Sequence, residues 1–166
     1  MLESSIAIDS KLPWVGTTIF TVMSKLAVEC GAINLSQGFP DFQADPSLFE
    51  ATLRAMREGR NQYPPMAGMP ELRTAIADKV EALYGTRYDT EQEITVTAGA
   101  TQAIFTAIAA FVRAGDEVIA FEPVYDSYVP AIETVGGKAV FARLTFPDYK
   151  PDWNRVRTLV LSLIHI

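Results

Sequence analysis

From residue 94 onward the chain alternates strand-like and helix-length segments, and that alternation limits the folds open to it. ITVTA (94–98) alternates like a strand. Thr101 to Val112 has helical length and is apolar on nearly every side, which predicts a buried helix. After a Gly115–Asp116 turn, EVIAF (117–121) reads as a second strand. A further helix is expected from Asp126 to Val135, with Pro130 tolerable only in its first turn. Gly136–Gly137 then leads to KAVFA (138–142), a third strand. Strands joined by helix-length connections imply βαβ crossovers, so an α/β fold with a mainly parallel sheet and flanking helices is expected.

The residues before this alternation are organised differently. Thr17 and Thr18 precede an amphipathic stretch with Ile19, Val22, Met23 and Leu26 on one face, and Gly31 follows it. Those are helix start and stop signals. Gly38 and Pro40 close the short extended segment AINLSQGFPDF (32–42) in a turn or loop. Asp45 before Pro46 is a helix cap followed by proline at the first helical position, with Phe49, Leu53 and Met56 at helical spacing and Gly59 as the stop. NQYPPMAGMP (61–70) is a loop by its prolines and glycine. Pro70 opens another helix, expected to face Leu72, Ile76, Val80 and Leu83 inward and to end at Gly85. The expected organisation is an arm or small-domain segment over 1–45, the first part of a larger domain over 46–156, and a tail over 157–166.

Composition removes several function classes. The 14 Lys+Arg against 20 Asp+Glu give a net charge of −6, and no basic run occurs, which argues against nucleic-acid binding. No stretch reaches the ~18 apolar residues of a membrane span. Cys30 is the single cysteine, so neither an intrachain disulfide nor a cysteine-based metal site is expected. MLESSIAIDS (1–10) has neither the basic start nor the apolar stretch of a signal peptide, and the expected location is cytoplasmic.

RTLVLSLIHI (157–166) is apolar and lacks turn signals, as a buried strand would be, but such a strand needs neighbours not evident elsewhere in the chain. Its last residues, SLIHI, also resemble the translated start of a sequencing adapter, a reading under which the tail is not native. His165, the single histidine, is therefore read as incidental.

The sharpest local feature is TAGATQAIF (97–105), where a strand-like segment ends at Gly99 and a helix opens near Thr101. A helix N-terminus presents unpaired N–H groups and the positive end of a dipole, which favour a phosphate. Gly99 and Ala100 permit close approach, and the Thr101 hydroxyl adds a donor. Ordinary helix capping uses the same residue types, and the glycine-lysine pair of a Walker loop is absent. FEPVYDSYVP (121–130) follows the second strand, and ligands of open parallel sheets bind beyond the C-terminal strand ends. Tyr125 there is either a ring for stacking on a planar cofactor or, with Tyr128, a packing aromatic.

GFPDF (38–42), NQYPPMAGMPELR (61–73), VTAGATQA (96–103) and GDEVIAFEPVYDSY (115–128) occur in this order. The set resembles the N-terminal part of class I/II aminotransferases, in the kynurenine, glutamine and methionine aminotransferase branch, over roughly residues 12–157. The resemblance implies fold-type I architecture, here incomplete, and pyridoxal 5′-phosphate as cofactor. It further implies that Ala100, Thr101 and Gln102 hold the cofactor phosphate and that Tyr125 stacks on its ring. Tyr63 matches a tyrosine that reaches the phosphate of the partner subunit, so a homodimer of the full-length protein is implied. Gly38 matches a glycine beside the substrate carboxylate, and Phe20 a pocket aromatic that is often Trp in the family. At Thr101 some relatives carry Tyr or Ser.

The implied activity is transfer of an amino group from an amino acid, of methionine, glutamine or aromatic type, to a 2-oxo acid. That chemistry needs a Schiff-base lysine, a carboxylate at the ring nitrogen and an arginine for the substrate carboxylate. The family places these beyond the residues present, so the chain is expected to hold no catalytic residue and to be inactive alone. Lys25 in SKLA is read as a solvated helix lysine, and Arg54, Arg57, Arg60 and Arg73 as surface or interface charges. Two alternatives stay open: a fragment of a pyridoxal-phosphate-dependent C–S β-lyase, and a non-catalytic α/β phosphate-binding module.

Overall fold

The computed structural model describes residues 9–38, 40–160 and 164–165, the last two by backbone alone. The chain folds as two compact units. One comprises the described residues as far as Ala32 together with those from Ala98 on; the other is Ile33–Thr97.

In the first unit, α1 (Ile19–Glu29) begins at the expected cap, where the Thr18 side chain accepts a hydrogen bond from the Thr21 N–H. The other elements are α4 (Ala100–Phe111), β1 (Glu117–Glu122), α5 (Tyr128–Thr134), β2 (Lys138–Arg143), α6 (Trp153–Leu159) and β3 (Ile164–His165). The sheet is parallel in the order β2-β1-β3. β1 pairs with β2 from Glu117↔Lys138 to Glu122↔Arg143, and the βαβ connection through α5 matches the expected crossover. Pro130 is the third residue of α5, within the first turn, where its missing N–H costs no helical hydrogen bond. Ile119, Ala142 and Val156 form a buried cluster, with Phe121 and Leu159 packed against it. α6 therefore covers the sheet face carrying Ile119 and Phe121, whereas Ala120 alternates to the opposite face.

In the second unit, α2 (Pro46–Arg57) is capped by Asp45, whose carboxylate accepts from the Ser47 N–H at 2.8 Å. α3 (Pro70–Tyr84) ends at Gly85, which holds φ 73, a left-handed C-cap. The buried residues of α3 are Arg73 and Ala77, while Leu72 and Leu83 are exposed and Ile76 and Val80 half-buried. The inward face thus keeps 76 and 80 but takes 73 and 77 in place of 72 and 83. Arg73 is not a surface charge. Its Nε donates to the Gly68 carbonyl at 3.2 Å, its Nη1 to the Thr90 carbonyl, and its Nη2 lies 3.2 Å from Glu91 Oε1. Burial of a cation is tolerated here because each of its three nitrogens faces an acceptor.

Three further expectations are corrected. ITVTA forms no strand: no described strand lies beside it, and the Val96 N–H donates at 2.9 Å to the loop carbonyl of Ala67. A strand exists only as a ladder with a neighbour. α4 has no buried residue, and Phe105 and Phe111 are exposed, because the described elements cover only part of its apolar surface. The apolar faces of α1 and α2 are likewise open, with Ile19, Leu26, Phe49 and Met56 exposed. The tail is not one strand without neighbours: 157–159 end α6, and Ile164–His165 pair with Glu117–Val118 of β1.

Candidate functional site

α4 opens at Gly99, with φ 84 and ψ 166, a backbone conformation essentially restricted to glycine. No side chain caps this turn from the N-cap position. A Cβ built on Gly99 would meet nothing within 4 Å, and the N–H groups of Ala100, Thr101 and Gln102 that follow it lie in the first turn, where the helix supplies no acceptor. The Gln102 side chain turns back instead of outward, and its Oε1 accepts from the Ala98 N–H at 2.5 Å. Gln102 thereby ties the turn to the residue that enters it. Its type and position drew attention in the sequence, but nothing local indicated that backward bond.

Thr101 is exposed and lines a cavity of about 230 Å³ with Ile104, Phe105, Ser127, Pro130, Ala131 and Thr134. Ser127 lies two residues beyond Tyr125, so the helix-opening turn and the segment after β1 meet at one place. The Ser127 Oγ is buried without a hydrogen-bond partner. Nothing in the sequence sets this serine apart, because it occupies an ordinary N-cap position.

Tyr125 is half exposed, and its ring centroid lies 6.2 Å from Phe20 of α1 at an interplanar angle of 37°. Tyr128 meets Tyr125 edge-on at 5.8 Å and 63°. Phe20 and Tyr125 stand 105 positions apart in sequence (125 − 20) and are brought together by the fold. Gly38 and Tyr63 belong to the other unit, where both are exposed. Lys25 is the solvated helix lysine expected, 76% exposed by side chain and 3.7 Å from Glu29 in an i,i+4 pair. Arg54, Arg57 and Arg60 are exposed, Arg60 lying 3.4 Å from Glu58.

The family described as aminotransferase class I and II matches residues 31–162. The chain belongs to that family. It is 51% identical, over 99% of its length, to methionine aminotransferase of Escherichia coli strain K12, and spans 45% of that protein. It is 45% identical, over 84% of its length, to a probable N-succinyldiaminopimelate aminotransferase of Mycobacterium tuberculosis, of which it spans 35%. Among solved structures, an Escherichia coli protein with a methionine aminotransferase function superposes at a TM-score of 0.92 and 50% identity, covering 96% of this chain and 42% of that one. The chain therefore spans less than half the length of these relatives. The architecture is the α/β, fold-type I arrangement of this family, covered in part.

Class I and II aminotransferases use pyridoxal 5′-phosphate. The residues here fit it: a helix opening at a glycine, whose first N–H groups have no acceptor within the helix, suits a phosphate, and a half-exposed tyrosine suits a flat ring. Among the described residues, no helix is long and apolar enough to cross a membrane.

Proposed function

We propose that the full-length protein is a cytoplasmic, homodimeric aminotransferase that moves an amino group from an amino acid to a 2-oxo acid. The observation that carries the reading is the meeting of Thr101 with the segment carrying Tyr125, which stands beside Phe20 in the same unit. In this reading, residues 46–156 are part of the cofactor-binding domain.

The roles follow from the chemistry of each group. The N–H groups of Ala100, Thr101 and Gln102 donate to the phosphate oxygens, with the Thr101 hydroxyl as a further donor. Gln102 also keeps the turn in shape through Ala98. Tyr125 stacks on the cofactor ring, and Phe20 limits the tilt of Tyr125 while walling the substrate pocket. The Gly38 backbone lies beside the substrate carboxylate, and Tyr63 reaches the phosphate held by a partner subunit. When bound, pyridoxal phosphate supplies the electron sink for breaking a bond at the amino-bearing carbon. This chain's part is to hold, orient and wall. The kinship with methionine aminotransferase favours methionine, glutamine or aromatic amino acids as donors.

The test is an assay of the full-length protein with these amino acids and a 2-oxo acid. Keto-acid-dependent amino transfer is expected. Pyruvate and ammonia release without a 2-oxo acid would replace the reading by a C–S β-lyase, and failure to bind pyridoxal phosphate would leave only a non-catalytic α/β module.

A further inference from the structure

We propose that Arg73 is a positioning residue that fixes the loop carrying Tyr63, and so sets how firmly the cofactor phosphate is held. The inference rests on the reading of Tyr63 given above and adds a residue to it.

The loop is held at both ends. At its start, the Asn61 N–H donates to the Gly59 carbonyl at 2.8 Å, and the Asn61 side-chain amide to the Met56 carbonyl at 3.0 Å. At its end, the Gly68 N–H donates to Pro65 at 2.8 Å and the Ala67 carbonyl accepts from Val96 at 2.9 Å. Gly68 holds φ 101, and a Cβ there would lie 2.6 Å from Val96 Cγ2, so the backbone is pressed against that side chain. The carbonyl of this same glycine is the one that Arg73 Nε grips at 3.2 Å. The guanidinium carries that hold onward to Thr90 and Glu91.

Between these anchors the chain reads Tyr63-Pro64-Pro65. The Gly68 N–H bond to the Pro65 carbonyl closes the turn over Met66 and Ala67, and each proline fixes its own φ and restricts the residue before it, so direction set at Gly68 is passed back to Tyr63. Tyr63 itself is 98% exposed, so no packing of its own holds it in place. An anchored loop that presents an unpacked aromatic is preorganised for a contact outside its own unit. The three acceptors are met by three different nitrogens of one planar guanidinium, a spread of donors that the single nitrogen of lysine lacks.

The test uses the full-length protein and compares binding of pyridoxal phosphate with binding of pyridoxal, which has no phosphate, by absorbance titration. Tyr63→Phe is expected to weaken pyridoxal phosphate roughly ten- to hundredfold, the range of one hydrogen bond to a charged group, and to leave pyridoxal unchanged. Arg73→Lys should reproduce that selective loss, and the double variant should be no weaker than Tyr63→Phe alone. Gly68→Ala, which displaces the same anchor from the Val96 side, should show it too.

An Arg73→Lys protein that binds both ligands like the parent overturns the proposal. So does one that loses both ligands equally, the mark of a merely structural residue, or a double variant whose losses add. A parent protein that binds pyridoxal phosphate, with an unaffected Tyr63→Phe, removes the role of Tyr63 and the proposal with it. A parent that binds neither ligand instead overturns the cofactor reading itself.

Discussion

Arg73 Nη2 lies 3.2 Å from Glu91 Oε1, yet the arginine side chain is 5% exposed and the glutamate side chain 70%. The pair is therefore asymmetric. Water screens the carboxylate, while the guanidinium relies on the carbonyls of Gly68 and Thr90 for its remaining donors. The energetic weight falls on those carbonyl bonds, not on the ion pair.

Removing the two partners should accordingly have unequal effects. Arg73→Met leaves two carbonyls without their donor, at ~1–3 kcal/mol each, and is expected to cost about 2–6 kcal/mol in urea unfolding. Glu91→Gln should cost less than about 1 kcal/mol, as for other exposed ion pairs. Equal losses from the two variants would contradict the asymmetry.

Gly137 is required by packing. A Cβ there would stand 2.7 Å from Val112 Cγ1 and 3.1 Å from Ile132 Cγ2, and both neighbours are buried. Gly137→Ala is expected to lower stability by about 1–3 kcal/mol through overpacking, read from the denaturation midpoint. Gly99→Ala has open space instead, and its cost should come from the positive φ alone.

Thr101→Ala tests the phosphate turn. Loss of its hydroxyl is expected to weaken pyridoxal phosphate binding in the full-length protein by roughly 0.5–3 kcal/mol, measured by cofactor retention on dialysis. Unchanged retention would remove Thr101 from the phosphate site.

The cap of α2 predicts a pH dependence. Hydrogen bonds from Ser47 hold the Asp45 carboxyl below its ordinary value. The folded state thus favours the deprotonated form. That contribution is fully present above the ordinary aspartate value of 3.8, and is lost as pH falls through the lowered one. Thermal melts of Asp45→Asn against the parent between pH 7 and the acid range should converge as the pH drops.

The parts of the candidate site are legible in the sequence because they are local. The turn at Gly99, the helix opening at Ala100 and the tyrosine after β1 are each specified within a few residues. Arg73 was not, although Ile76, Ala77 and Val80 lie on its side of α3 and mark that face as inward. A charge on an apolar face is acceptable only if carbonyls elsewhere meet it, and Thr90 lies 17 residues away. Ser127 is a similar case: its Oγ is buried, and the residues it faces across the cavity, Thr101, Ile104 and Phe105, belong to α4 far away in the chain.

The family, the helix starts at Thr18, Asp45 and Pro70, the stop at Gly85 and the strand–helix–strand unit from 117 to 143 are all written in local residue patterns. Those outcomes rest on caps, prolines, glycines and periodicity, whose physics acts within about one helical turn. That ITVTA forms no strand, that β1 lies between β2 and β3, that α3 buries Arg73 and that Phe20 meets Tyr125 emerge from the folded chain alone. Ladders, buried faces and ring contacts each need a partner from elsewhere in the chain, and no local signal names that partner.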